Sequence, residues 1–172
     1  MTAQVDLEGI ARAVVDCGYQ LHCELGPGLL ESAYEALMAA ALRQSGFRVS
    51  RQVSIPMNFR GIRVEDAFRV DLLINERLIV ELKSVERLAA VHGKQLLTYL
   101  RLMDLPLGLL INFGQPTFKE GITSGGKQLP RLDGAHIWRD TLTMPPWFRH
   151  PRAPLVRQPA VPFMHCPLCV FA

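Results

Sequence analysis

Two short apolar runs carry the charges that most constrain this chain. Residues 68–74 read Phe-Arg-Val-Asp-Leu-Leu-Ile, and residues 78–83 read Leu-Ile-Val-Glu-Leu-Lys. Val, Ile and Leu crowd both faces of each run, as in central strands covered on both sides. Asp71, Glu81 and Lys83 sit inside these runs. An ionised group in such a place is costly unless it is paired, hydrated or metal-bound. Glu81 and Lys83 are two positions apart, so a strand points both to one face and sends Val80 and Leu82 to the other. Asp71 joins them only in one hairpin register. A two-residue loop at Asn75-Glu76 pairs Asp71 with Val80 and puts it on the face away from Glu81. A three-residue loop, Asn75-Glu76-Arg77, pairs Asp71 with Glu81. The three-residue register is the expected one.

Two facing carboxylates repel and raise each other's pKa unless a cation lies between them. Oxygen-only ligands suit a hard ion, Mg²⁺ or Mn²⁺. Such an ion polarises a phosphoryl oxygen and acidifies bound water. Lys83 beside it could orient the attacking water or offset the charge that develops on phosphorus oxygens. The spacing D-x9-E-x-K therefore fits phosphodiester hydrolysis by metal-activated water. An ion pair is the plainer alternative, with Glu81 and Lys83 neutralising each other and Asp71 bonded to Arg69 or to solvent.

The flanking sequence supplies the layers. Ile10, Val14, Cys17 and Leu21 recur at helical spacing over 6–24. Gly26-Pro27-Gly28 breaks that helix, and a second is expected over about 29–45, with Leu30, Tyr34, Leu37, Met38, Ala41 and Leu42 inward. Alternation over 47–55 predicts a strand, Arg60-Gly61 a turn, 62–64 the start of a return strand, 87–103 a helix and 107–113 a further buried strand. The order ααβββαβ predicts an α/β fold, a mixed sheet flanked by helices. The domain is read as residues 1–114. Residues 115–172 are read as a Pro-rich, basic, partly irregular extension, since residues 127–172 hold 6 basic against 2 acidic residues and 8 of the 12 prolines. The net charge of +3 does not establish a nucleic-acid partner. No apolar run has the length of a membrane span, and the N-terminus lacks the basic and apolar segments of a secretory signal, so the reading is cytoplasmic with no membrane association.

Further motifs extend the pattern. His22-Cys23-Glu24-Leu25-Gly26-Pro27 leads into Gly28-Leu29-Leu30-Glu31-Ser32-Ala33-Tyr34. Val70-Asp71 and Val80-Glu81-Leu82-Lys83 follow, then His92-Gly93-Lys94-Gln95-Leu96-Leu97-Thr98-Tyr99-Leu100 and Gly108-Leu109-Leu110-Ile111-Asn112-Phe113-Gly114. In this order they resemble the GxxExxY family of the PD-(D/E)xK nuclease superfamily over roughly residues 7–114. Val70 departs from the proline of the superfamily's name motif. The resemblance implies a restriction-endonuclease-like core and a Mg²⁺-dependent nuclease acting on DNA, or on RNA. The alternative is a catalytically silent nucleic-acid-binding or accessory module. It implies Glu31, Asp71 and Glu81 as metal ligands and Lys83 as the catalytic lysine. Gln95, in a Q-x-x-x-Y pattern with Tyr99, would position the substrate strand or Lys83.

Helical spacing puts His92, Gln95 and Tyr99 on one face. Tyr99 and His92, with Arg51 and Arg69, are the candidate substrate contacts. Against these stand plainer roles: a helix-dipole Glu31, a core Tyr99, a helix-surface His92 and solvated arginines. A homodimer or a protein partner stays open. Cys17, Cys23, Cys166 and Cys169 are read as free thiols, and neither an iron–sulfur cluster nor zinc is expected.

Overall fold

The computed structural model of the chain describes residues 6–126. Helix α1 spans Leu7–Leu25 and helix α2 spans Glu31–Gln44. Strands β1 (Val49–Phe59), β2 (Ile62–Ile74) and β3 (Leu78–Lys83) follow, then α3 (Ala90–Leu102), β4 (Leu107–Asn112), the short α4 (Phe118–Gly121) and β5 (Ile122–Gly126). The strands form one sheet in the order β1-β2-β3-β4-β5. β3 and β4 are parallel and the other neighbours antiparallel, so α3 is the crossover that a parallel pair requires. The α/β architecture with a mixed sheet is as expected.

Two cores sandwich the sheet. One packs α1, α2 and Phe118 against Leu72, Ile74, Val80, Leu82, Leu109 and Ile111. The other packs Leu96, Tyr99 and Leu100 of α3 against Leu73, Ile79 and Leu110. Burial of the central strands on both faces follows from their near-continuous Val, Ile and Leu content. Glycine permits two close approaches. A Cβ on Gly18 would lie 2.8 Å from the Phe118 ring, and one on Gly108 would lie 2.7 Å from Leu96.

Helix α1 begins where Asp6 accepts the Gly9 N–H at 2.7 Å and ends where Gly26, at φ 67°, donates its N–H to His22 O. Helix α2 is rotated from the expected orientation. Its buried stripe is Tyr34, Glu35, Met38, Ala39 and Leu42, while Leu30 and Leu37 are exposed. The apolar pattern admits either rotation. The structure adopts the one in which Glu35 finds hydrogen-bonding partners on β1.

The hairpin between β2 and β3 has the three-residue loop. Ile74 pairs with Leu78, Leu73 with Ile79 and Leu72 with Val80. Asn75 and Glu76 are left-handed, and Arg77 N–H closes the turn on Ile74 O at 3.0 Å. The Asn75 side chain also accepts the Arg48 N–H at 2.8 Å, which ties this turn to the start of β1.

The sheet continues past the boundary expected at residue 114. β5 pairs with β4 from Ile111↔Ile122 to Leu107↔Gly126. A five-residue Ile-Thr-Ser-Gly-Gly strand has too little alternation to be visible beforehand. The remainder of the extension, with Cys166 and Cys169, lies outside the described residues. Cys17 and Cys23 are free thiols, and no helix among the described residues is long and apolar enough to cross a membrane.

Candidate active site

The hairpin register carries Asp71 opposite Glu81. There the backbone ladder gives way to a side chain, because Asp71 Oδ2 accepts the Leu82 N–H at 2.9 Å. Glu81 and Lys83 share a strand face with Ile79, which packs in one core with Tyr99, and Tyr99 stands near enough to feel the charges of Asp71, Glu81 and Lys83. Lys83 Nζ donates to Glu81 Oε1 at 2.8 Å. The second Glu81 oxygen, Oε2, is buried with no hydrogen-bond partner. A buried, unpartnered carboxylate oxygen is expensive in a finished structural ion pair, and it is what a cation ligand looks like before the cation binds.

The electrostatics follow from this crowding. Burial pushes the Glu81 carboxyl up from 4.5 to about 7, and the charge on Asp71 adds to the rise against the pull of Lys83. Burial also raises Asp71, and the charge on Glu35 contributes, opposed by the Leu82 N–H and by Lys83. For Lys83, burial alone would lower the ammonium. The hydrogen bond and charge of Glu81, with the charges on Asp71 and Glu31, outweigh it and hold Lys83 above its ordinary value. Lys83 is therefore a cation at neutral pH and acts as a donor and counter-charge.

This crowding sets a pH dependence. A carboxyl with a raised folded-state pKa resists ionisation in the fold, so the penalty is absent below pH 4.5 and complete above about pH 7. At ~1.4 kcal/mol per unit, Glu81 alone costs the metal-free protein about 3 kcal/mol on going from pH 4.5 to pH 8. Thermal melts in EDTA are expected to show wild type losing stability over that window and Glu81→Gln losing less. Equal pH slopes for the two proteins would refute the strained carboxylate.

Glu31 and Glu35 flank this centre from one face of α2, one turn apart. Glu31 is exposed and accepts the Ser84 N–H on Oε1 at 3.0 Å, while Ser84 Oγ donates to Leu29 O at 2.7 Å. It stands near enough to raise both Glu81 and Lys83. Tyr34 holds the preceding loop: its hydroxyl donates to Gly26 O at 2.5 Å, and its ring stacks on Phe113 at 4.0 Å. The stretch from Gly26 to Tyr34 thus frames the end of β3 through Ser84. Gly28, at φ 112°, is a turn residue.

The other candidates divide. Gln95 Nε2 donates to the Tyr99 hydroxyl, and Tyr99 lies close enough to the centre to sense Glu81, Lys83 and Asp71. His92 caps α3, its ring Nδ1 accepting the Ala89 N–H at 3.2 Å. Arg51 is bound through Nε to Glu35 Oε1 at 2.7 Å. Arg69 is exposed on β2. Among the described residues, no three Asp, Glu, His or Cys side chains converge into a ready-made metal cage. The structure brings together the pair Asp71–Glu81, with Glu31 at its margin.

Two participants escaped the sequence reading. Glu35 is 5% exposed and tied to Arg51 and Gln52. The available signal was an acidic residue at +3, +4 and +7 spacing from Met38, Ala39 and Leu42. Asn112, fully buried at the end of β4, accepts the Val85 and Gly114 N–H groups at 3.0 and 3.1 Å and donates to Val85 O at 2.7 Å. It joins β4 to the loop that follows Lys83, and Phe113 N–H extends the joint to Lys83 O at 2.7 Å.

A family model described as PD-(D/E)XK nuclease superfamily matches residues 8–124, from α1 into β5. The chain belongs to the PD-(D/E)XK nuclease superfamily. No curated protein and no solved structure matches it significantly. Asp71, Glu81 and Lys83, which the sequence reading set against the superfamily's name pattern, all lie within the matched stretch. The matched stretch takes in α4 and the first three residues of β5.

Proposed function

We propose that this chain is a Mg²⁺- or Mn²⁺-dependent nuclease that hydrolyses phosphodiester bonds of DNA, with RNA as the alternative substrate, as a member of the GxxExxY branch. The observation that carries the reading is the buried Glu81 beside the half-buried Asp71: the free Glu81 Oε2 and the raised carboxyl pKa values are both relieved by a divalent cation. The donor set is all oxygen, which fits a hard ion. Asp71 and Glu81 would hold it, with Glu31 as the marginal third carboxylate. When bound, such an ion supplies Lewis-acid polarisation of a phosphoryl oxygen and a more acidic water.

The protein's own groups do the rest. Lys83 stays protonated and places a positive charge where phosphoryl oxygens gain negative charge in the transition state. Gln95, held by Tyr99, positions the substrate strand beside Lys83. Arg69 meets the sugar–phosphate backbone, and His92, one turn before Gln95 on α3, contacts the strand. Arg51, committed to Glu35, acts on the strand only through that pair. A second reading has one observation in its favour: the closed Glu81–Lys83 ion pair suits a catalytically silent nucleic-acid-binding or accessory module.

The test is cleavage of single- and double-stranded DNA and RNA with Mg²⁺, Mn²⁺ or EDTA, beside Asp71→Asn. Metal-dependent cleavage that EDTA and the variant both abolish is expected. Salt-sensitive DNA binding without cleavage under any metal would replace this reading with the silent module.

A further inference from the structure

Gln52 lies in the middle of β1 with φ 52°. The other left-handed non-glycine residues among those described, Arg60, Asn75, Glu76 and Asp104, all lie in turns. A side chain in that conformation within a strand is strained and needs a compensating contact. The compensation is on the page. Gln52 Nε2 donates to Glu35 Oε2 at 2.6 Å and to Asp71 Oδ1 at 3.2 Å. Both partners are carboxylates, so only the NH₂ end of the amide can face them, and its two protons serve one each. Arg51 takes the other Glu35 oxygen. The two ends of this stretch of β1 also belong to different cores. Val49 belongs to the core under α1 and α2, whereas Ile55, of the same parity, belongs to the core under α3.

We propose that Gln52 is a positioning residue for the metal ligand Asp71, anchored by Glu35 and Arg51, and that it sets the affinity of the site for its divalent cation. The proposal rests on the metal-dependent reading above. With Leu82 N–H on Oδ2 and Gln52 on Oδ1, both Asp71 oxygens are oriented, and each keeps a lone pair for a cation. Gln52 also places two N–H dipoles between the Glu35 and Asp71 charges. Outer partners of this kind orient ligands and tune metal affinity.

Two variants separate the role from folding. Gln52→Met keeps the side-chain length and loses the donors. Gln52→Gly loses them too and relieves the strain. Calorimetric titration of EDTA-stripped protein with Mn²⁺ is expected to show binding weakened about tenfold or more in both. Metal-free melting should fall for Gln52→Met, which keeps the strain and leaves Glu35 Oε2 without its donor, and should fall less or not at all for Gln52→Gly, where relief of the strain offsets the lost bonds. Saturating Mn²⁺ should return their cleavage rates close to wild type. Mn²⁺ affinity within twofold of wild type, or cleavage that excess Mn²⁺ does not restore, would overturn the proposal. So would a marked loss of metal-free stability in Gln52→Gly. If wild type itself binds no Mn²⁺, the metal-dependent reading fails and takes this inference with it.

Discussion

Replacing Lys83 with methionine is expected to slow cleavage at saturating Mg²⁺ by about a thousandfold, on the scale of removing one preorganised electrostatic donor from a transition state. Mn²⁺ binding should be unchanged or tighter, because Lys83 competes with the cation for Glu81 Oε1. The same substitution leaves Glu81, Asp71 and Glu31 without their shared counter-charge. Metal-free protein should therefore lose stability, by about 3 kcal/mol at pH 8 on the scale of a broken buried pair. The loss should shrink toward pH 5, where Glu81 takes up a proton. Lys83→Arg is not expected to rescue cleavage, since a planar fork does not replace a point charge on a flexible stem. Single-turnover rates paired with Mn²⁺ titrations check the prediction. A variant retaining a tenth of the wild-type rate would remove Lys83 from the chemistry.

Asn112→Leu is expected to be the most destabilising single change away from the carboxylates. Leucine keeps asparagine's branching but its methyls are bulkier, so overpacking adds to the lost hydrogen bonds. The Val85 N–H and C=O and the Gly114 N–H all lose their partner. Each orphaned group costs ~1–3 kcal/mol, which gives about 4 kcal/mol in total. That corresponds to a fall in Tm of about 10 °C for a chain of this size. Gly114→Ala should strike the same joint by another route, because its Cβ would meet Val85 O at 2.4 Å and Val85 N at 2.7 Å, both backbone atoms. The joint holds the loop immediately after Lys83, so activity should fall with stability and return on cooling. Melting curves within 3 °C of wild type for Asn112→Leu would show that the three bonds are dispensable.

Much of this molecule is determined by local spacing. Period two put Glu81 and Lys83 on one face, and the three residues Asn75-Glu76-Arg77 between two strong apolar runs sufficed to bring Asp71 beside them. The apolar content of β2, β3 and β4 forced burial on both faces, and hence helices on both sides of the sheet. These features depend on residues close in sequence, where geometry leaves few alternatives. Tertiary structure decided the rest. The rotation of α2 was open, because Leu30 and Leu37 match an apolar stripe as well as Ala39 does. Contact with β1 selected the rotation that buries Glu35. The left-handed Gln52 leaves no mark in sequence, since its strain is repaid by carboxylates 17 residues before it and 19 after it. Asn112 reads as one more polar strand end until Val85 and Gly114 close around it. In each case the deciding energy is a contact between distant residues, which no pattern along the chain encodes.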